Sequence, residues 1–149
     1  LIINGKGKHD HLINKAIQEL ELSGSVFHKG WVSHEDKLKY LNHCDIGLIP
    51  YFITSHWNTT IPNKIFDYMA MRKPVLSTNI IPTARIINET NSGLIYDRFS
   101  TDDLCNKIGQ LGEEDIRRSF GENGYSAVTQ KYNWDIDKQY FINAINQFA

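Results

Sequence analysis

The chain has 149 residues, 41% of them hydrophobic, which suits one domain with enough apolar side chains for a single core. Sixteen basic residues against seventeen acidic ones give a formal charge of −1, so no global positive field draws nucleic acid or anionic lipid. The most apolar stretch, Ile46 to Ile53, falls far short of the ~20 residues of a membrane-spanning helix and contains Pro50.

Short aliphatic runs alternate with amphipathic stretches along the chain, and five strands are expected: Leu1–Ile3, Ser25–Phe27, Ile46–Ile49, Pro74–Ser77 and Gly93–Tyr96. A first helix is expected from Asp10 to Leu20, with Ile13, Ala16, Ile17 and Leu20 on one face. Ser33 followed by Asp36 resembles a capping box and opens a second helix that should bury Leu38 and Leu41. Pro62 suits the first turn of a third helix, whose inner face is Ile65, Phe66 and Met69. A short fourth helix spans about Thr83 to Glu89, and Gly93 turns the chain into the last strand.

After that strand the pattern changes. Thr101 caps a stretch with Leu104, Ile108 and Leu111 on one side, and helices over Ile116–Tyr132 and Asp135–Phe148 follow with no strand between them. The alternation is that of βαβ units, so the expected fold is α/β, a Rossmann-like parallel sheet with helices on both faces and an all-helical C-terminal segment. Such sheets bind ligands beyond the carboxyl ends of their strands, at the loops Asn4–Asp10, His28–His34, Pro50–Pro62 and Thr78–Pro82. The chain opens on Leu1 and enters a strand at once, and it reads as a fragment of a longer polypeptide. Cys44 and Cys105, each within a helical pattern and without metal-type spacing, fit a reducing compartment, and with no signal peptide visible a cytoplasmic location is expected.

Several strings suggest chemistry that their settings do not support. Gly5-Lys6-Gly7-Lys8 follows the first strand, but neither the P-loop nor the dinucleotide fingerprint is complete. His9 and His11 lack both the spacing and the thiolates of a zinc site. Asp135-Ile136-Asp137 matches a metal-binding D-x-D string, yet at the start of a helix Asp is favoured by capping and by the helix dipole. The sequons at Asn58 and Asn88 carry little meaning in a cytoplasmic chain. No metal site is expected.

The informative run extends from Asn58 to Thr78: a polar loop, a helix and a buried strand. Unpaired N–H groups at a helix start attract anions, and Lys64 adds a mobile cation beside them. Asp67, one turn further on, could accept hydrogen bonds from vicinal ribose hydroxyls, or it could form a surface pair with Lys64.

This run resembles the donor-side motif of retaining GT-B glycosyltransferases, particularly the family-4 group, which often carries P-x-K-x-x-E-Y-x-A-x-G-x-P-V here. Val26-Phe-His-Lys-Gly30-Trp-Val32, Tyr40-Leu-Asn-His-Cys-Asp45-Ile-Gly-Leu-Ile-Pro50 and Tyr132-Asn-Trp134 look like the C-terminal, donor-binding domain of the same family, and the likeness covers almost the whole chain. It implies ribose binding by Asp67, diphosphate binding near Asn63 and Lys64, and sugar or phosphate contacts from Asn58, Thr59 and Thr60. The backbone around Trp31 and Val32 would meet the nucleobase, and Gly5 and Lys6 would belong to the same donor site. Two departures stand out. Thr59 occupies the place of the family's first glutamate, eight positions before Asp67, and Arg72 replaces the glycine before Lys73-Pro74.

The resemblance implies that the full-length protein transfers a sugar from a nucleoside diphosphate sugar to an acceptor glycan or lipid-linked saccharide, with retention and without a metal or other cofactor. The partners implied are the nucleotide sugar, the acceptor and an N-terminal domain of the same polypeptide, with a peripheral membrane association and no membrane span. An Arg/Lys pair of the family would lie upstream of Leu1, so the isolated fragment is expected to be inactive and to contain no catalytic residue of its own. Open alternatives are a nucleotide-sugar epimerase of similar fold and a degenerate, non-catalytic nucleotide-binding or scaffold module. A phosphate-accepting receiver domain is weakened because no acidic cluster follows the first strand.

Overall fold

The structure, a computed structural model, describes residues 1–148. They group into two compact units, Leu1–His43 and Cys44 onward. The five strands form two parallel sheets, one within each unit, where the sequence suggests one continuous sheet.

The first unit runs β1 (Ile2–Asn4), α1 (Asp10–Glu19), β2 (Phe27–Gly30) and α2 (His34–His43). β1 and β2 pair in parallel, with Ile2 opposite Phe27 and Ile3 opposite His28. The second strand lies later than the expected Ser25–Phe27. The amides of Ser25 and Val26 both donate to the Leu22 carbonyl, in a turn that consumes those residues before the strand begins. α1 rests on β2 with Ile13 and Ile17 half-buried, whereas Ala16 and Leu20 face solvent. The cap expected at Ser33 forms: the Asp36 amide donates to Ser33 Oγ at 3.1 Å, while the Asp36 carboxylate accepts the Ser33 hydroxyl at 2.9 Å, a side-chain contact in place of the second bond of a capping box. Of the two leucines expected inside α2, Leu41 is buried but Leu38 stays 39% exposed.

The second unit continues with β3 (Gly47–Ile49), α3 (Lys64–Ala70), β4 (Val75–Thr78), α4 (Ile81–Thr90), β5 (Gly93–Tyr96), α5 (Thr101–Gln110), α6 (Glu114–Gln130) and α7 (Trp134–Asn146). Its three strands are parallel in the order β3-β4-β5. All four residues of the central strand β4 are buried, as its aliphatic start demands when helices cover both faces. Alternate side chains serve opposite faces. Val75 joins Ile49, Ile65, Met69, Ile86, Ile87 and Val128 on one side, while Leu76 joins Tyr96 and Leu111 on the other. Each fully buried aliphatic side chain of these clusters contributes about 1.5–3 kcal/mol. On the first side α6 approaches α3 closely through its buried Gly121 and Gly124, the latter against the Met69 side chain.

Several local expectations shift. α3 begins at Lys64, so Pro62 precedes it, buried, with its carbonyl accepting the Ile65 amide at 3.1 Å. The left-handed turn before β5 falls on Asn91, at φ 48°, rather than on Gly93. Ser100 rather than Thr101 caps α5, accepting the Asp103 amide at 3.0 Å. Cys44 follows α2 instead of lying inside it, and neither cysteine is in a disulfide. The three C-terminal helices are present, but Trp134 is 68% exposed and does not anchor the last one. Asn133 does: its Oδ1 accepts the Ile136 amide while its Nδ2 donates to the carbonyls of Val128 and Thr129. Among the described residues no helix is long and apolar enough to cross a membrane.

Candidate functional site

In the second unit the polar end of β4 organises the site. Ser77 and Thr78 are buried: the Ser77 hydroxyl lies 3.0 Å from the Thr78 carbonyl and 3.4 Å from that of Ile49, and Thr78 Oγ1 donates to the Tyr51 carbonyl on the β3 side at 2.7 Å. Buried hydroxyls require such partners, and here the requirement fixes the loop leaving β3. Tyr51 is thereby held with its ring stacked on Trp57, 4.0 Å between centroids, and the Lys64 ammonium lies 4.5 Å from the Tyr51 ring centre. The lysine is thus positioned by an aromatic face at the start of α3.

The other residues of the run surround that start. Asn63 is exposed at the N-cap position, and its side chain makes no capping bond. The amides of Asn63 and Lys64 precede the first helical hydrogen bonds, which places them among the groups a helix N-terminus leaves to outside partners. Asp67 lies within the first turn of α3, half-buried. Asn58 reaches across to α4, where its Oδ1 accepts the Ile81 amide at 3.2 Å. This long-range cap serves a helix whose own cap residue, Ile80, has no suitable side chain. Thr59 donates its hydroxyl back to the carbonyls of Ser55 and His56 at 3.2 and 3.0 Å, closing its own turn. Thr60 is half-buried beside it. Asn58, Thr59, Thr60, Asn63, Lys64 and Asp67 are therefore brought together beyond the carboxyl ends of β3 and β4.

In the first unit the loops after the two strands are joined by a hydrogen bond from the Gly5 amide to the Gly30 carbonyl, 2.7 Å long. Both glycines stand at positive φ, 147° and 65°, where other residues are strained. This brings Gly5 and Lys6 next to Trp31, which is 76% exposed, and to the half-buried Val32.

Tyr51, Trp57 and Thr78 were not assigned these positioning roles from sequence, because aromatic and hydroxyl residues beside an apolar run read as core. The only signal was Pro50-Tyr51, which ends the strand and opens a long loop. Elsewhere, burial pushes the Tyr68 phenol up to about 12, with Cys44, Tyr51 and Asp67 adding to the shift, and its hydroxyl donates to the Leu48 carbonyl at 3.3 Å. Tyr68 is a structural post between α3 and β3, fixed in its neutral form. The D-x-D string lies in the first turn of α7, where Asp135 accepts a hydrogen bond from Lys138 at 2.6 Å. The cap there is Asn133, so Asp135 stands inside the helix start rather than at the cap itself.

Comparison with known proteins identifies the family and the fold. Over residues 1–127 the chain matches the family model described as Glycosyl transferases group 1. It is 23% identical over 130 residues to the uncharacterized glycosyltransferase MJ1178 of Methanocaldococcus jannaschii, covering 85% of this chain and 35% of that protein. The chain thus spans about a third of that relative's length. Among solved structures it resembles sucrose-phosphate synthase from Thermosynechococcus elongatus, with a TM-score of 0.85 at 19% identity over 99% of this chain and 38% of the other. It also resembles Anabaena HepE, solved in complex with UDP, with a TM-score of 0.84 at 16% identity over 98% of this chain and 40% of that one. The α/β architecture is that of the C-terminal half of GT-B glycosyltransferases, and the epimerase alternative gains nothing from these matches. With the family matched over most of its length and its motif gathered at one edge of a parallel sheet, the chain belongs to the group 1 glycosyl transferases.

Proposed function

We propose that this chain is the donor-binding domain of a hexosyltransferase that moves a sugar from a nucleoside diphosphate sugar to an acceptor glycan or lipid-linked saccharide, with retention and without a metal. The observation that carries the reading is the Lys64 ammonium standing over the Tyr51 ring at the entry to α3, with Asp67 in the same helical turn. A cation beside helix-start amides suits a diphosphate, and a carboxylate one turn along suits the ribose. The crystallised neighbour HepE, which binds UDP, supports the same ligand class.

In this reading Asn63 and Lys64 take the diphosphate and Asp67 takes the ribose hydroxyls. Asn58, through its amide nitrogen, and Thr60 face the sugar. Thr59, where the family has a carboxylate, can offer only oxygen lone pairs, since its proton is already directed to the backbone. By the family resemblance, the backbone of Trp31 and Val32 would serve the nucleobase, and Gly5 and Lys6 would belong to the donor site. Positive charge comes from protein groups, which is why no cation is required. Transfer needs donor and acceptor held in near-attack geometry, and the acceptor side belongs to a further domain of the polypeptide.

Thermal-shift titration with uridine, guanosine and adenosine diphosphates, with and without chelator, tests this. One nucleotide should stabilise the protein equally in both conditions, and the isolated chain should turn over no nucleotide sugar. Stabilisation that disappears with chelator and returns with magnesium or manganese would overturn the metal-free reading. No response to any nucleotide would overturn donor binding itself.

A further inference from the structure

A cavity opens at the ends of the strands of the second unit. It measures about 260 Å³ and is lined by Ile53 after β3, Asn79 after β4 and Tyr96 through Phe99 at and after β5. It adjoins the residues that position Lys64: Ile53 lies two residues beyond Tyr51, and Asn79 directly follows Thr78, whose hydroxyl holds the Tyr51 carbonyl.

Arg98, which lines the cavity, stands between Phe99 of its wall and the neighbouring Phe52. Phe52 is 71% exposed and Phe99 is 80% exposed, and both rings approach the same side chain. The Arg98 guanidinium lies 5.1 Å from the Phe52 ring centre and 4.0 Å from that of Phe99. Its nitrogens make no ion pair or hydrogen bond with any described residue, so the fork of donors is held by aromatic faces and left for something else. The segment is fixed before any ligand arrives. Asp97 Oδ1 accepts the Phe99 amide at 3.0 Å, Asp103 accepts the Asp97 amide at 2.7 Å, and Ser100 then caps α5.

The geometry points to a subsite for a negatively charged sugar ring, a uronic acid or a sugar phosphate, as part of the acceptor; this rests on the transferase reading above. The apolar C–H face of a pyranose suits the exposed phenyl faces, and the Asn79 amide can meet its hydroxyls. Arg98 supplies the paired donors that a carboxylate or phosphate accepts. An insertion point for a membrane surface is the competing occupant. It would present several cations and a convex apolar tip, whereas this site has one cation and a concave floor.

Amide NMR on this chain tests the assignment with glucuronate, glucose 6-phosphate and glucose as probes, and with acetate and inorganic phosphate as bare-anion controls. The amides of Asn79, Arg98 and Phe99 should shift, and the better of the two charged sugars should bind at least about tenfold more tightly than glucose, as a hydrogen bond to a charged group implies. Comparing glucuronate with glucose 6-phosphate identifies which charge is meant. Arg98→Gln should reduce the charged sugar to the affinity of glucose, and Phe99→Ser should weaken both. Equal binding of charged and neutral sugars, unchanged discrimination in Arg98→Gln, a bare anion matching its sugar, or no shift at tens of millimolar would each overturn the proposal. So would cosedimentation with phosphatidylglycerol vesicles that is lost in Phe52→Ser while sugars stay silent. Uridine diphosphate, read at Lys64 and Asp67, tests donor binding separately, so failure of one reading is distinguishable from failure of the other.

Discussion

The guanidinium of Arg72 stacks 3.5 Å from the centre of the Tyr125 ring while its Nε lies 2.8 Å from Glu122 Oε1, both on α6. Arg72 stands at φ 53°, the left-handed region that a side chain occupies only at a cost. A glycine, as the family pattern carries here, would avoid that cost, and the arginine provides two contacts in exchange that join the end of α3 to α6. Arg72→Ala keeps the strained backbone and loses both contacts. Arg72→Gly loses the contacts but relieves the strain. The alanine variant should therefore melt below the glycine variant, and the opposite order would show that the left-handed backbone at this position costs nothing.

The same junction is sterically tight. A Cβ added to Gly121 would collide with the Arg72 carbonyl oxygen, a backbone atom that cannot rotate away. Gly121→Ala should cost about 1–3 kcal/mol in urea unfolding, despite the higher helix propensity of alanine. Gly109, on α5, has open space around the same position and serves as the control: Gly109→Ala should be neutral or stabilising.

Asp67 and Lys64 have separable tasks under the proposed function. Asp67→Ala should weaken the nucleoside diphosphate by about 1.5–3 kcal/mol, the range for hydrogen bonds to a charged group. It should also lose most of the parent's discrimination against the 2′-deoxy ligand. Lys64→Ala should weaken diphosphates more than the bare nucleoside, in a salt-dependent way. Titration calorimetry with matched ribo and 2′-deoxy ligands reads both effects. If Asp67→Ala discriminates as well as the parent does, the carboxylate is not the ribose ligand.

Glu89 on α4 gathers Lys131, Tyr132 at 3.0 Å and Arg85 at 3.3 Å, and the hydrogen bond from Lys131 leads in holding its carboxyl below the ordinary 4.5. A lowered folded-state value means that the contribution to stability is fully present above pH 4.5 and is lost as pH falls through the lower folded value. The parent should therefore melt above Glu89→Gln near neutrality, with the gap closing in acid. A gap that persists at low pH would mean that the carboxylate's charge is not what joins α4 to the end of α6.

Much of the architecture could be read from the residues because the periodicities are strong. The β4 run from Pro74 and the helices around Ile65–Met69 and Leu104–Leu111 carry apolar side chains at spacings that fit only one kind of element each. The family motif was legible for a related reason: Asn63, Lys64 and Asp67 are close in sequence, so one helical turn brings them together whatever the rest of the chain does. Element ends were less legible. The start of β2 was decided by a turn closing on Leu22, and the start of α5 by which of two adjacent hydroxyl residues faced the helix.

Contacts between distant segments were beyond reach of any local pattern. That Thr78 holds Tyr51, that Tyr51 holds Lys64, and that Asn58 caps α4 follow only once β3 and β4 lie side by side. The pairing of Phe52 with Phe99 about Arg98 is of the same kind, since 46 residues separate the two rings. The sequence by itself determined the α/β class, the all-helical C-terminal segment and the local family motif, because those depend on spacing within a few turns of chain. Tertiary structure alone decided which side chains spend their polar atoms on the scaffold and which remain available to a ligand, because a hydrogen-bond partner can come from any strand that the sheet places alongside.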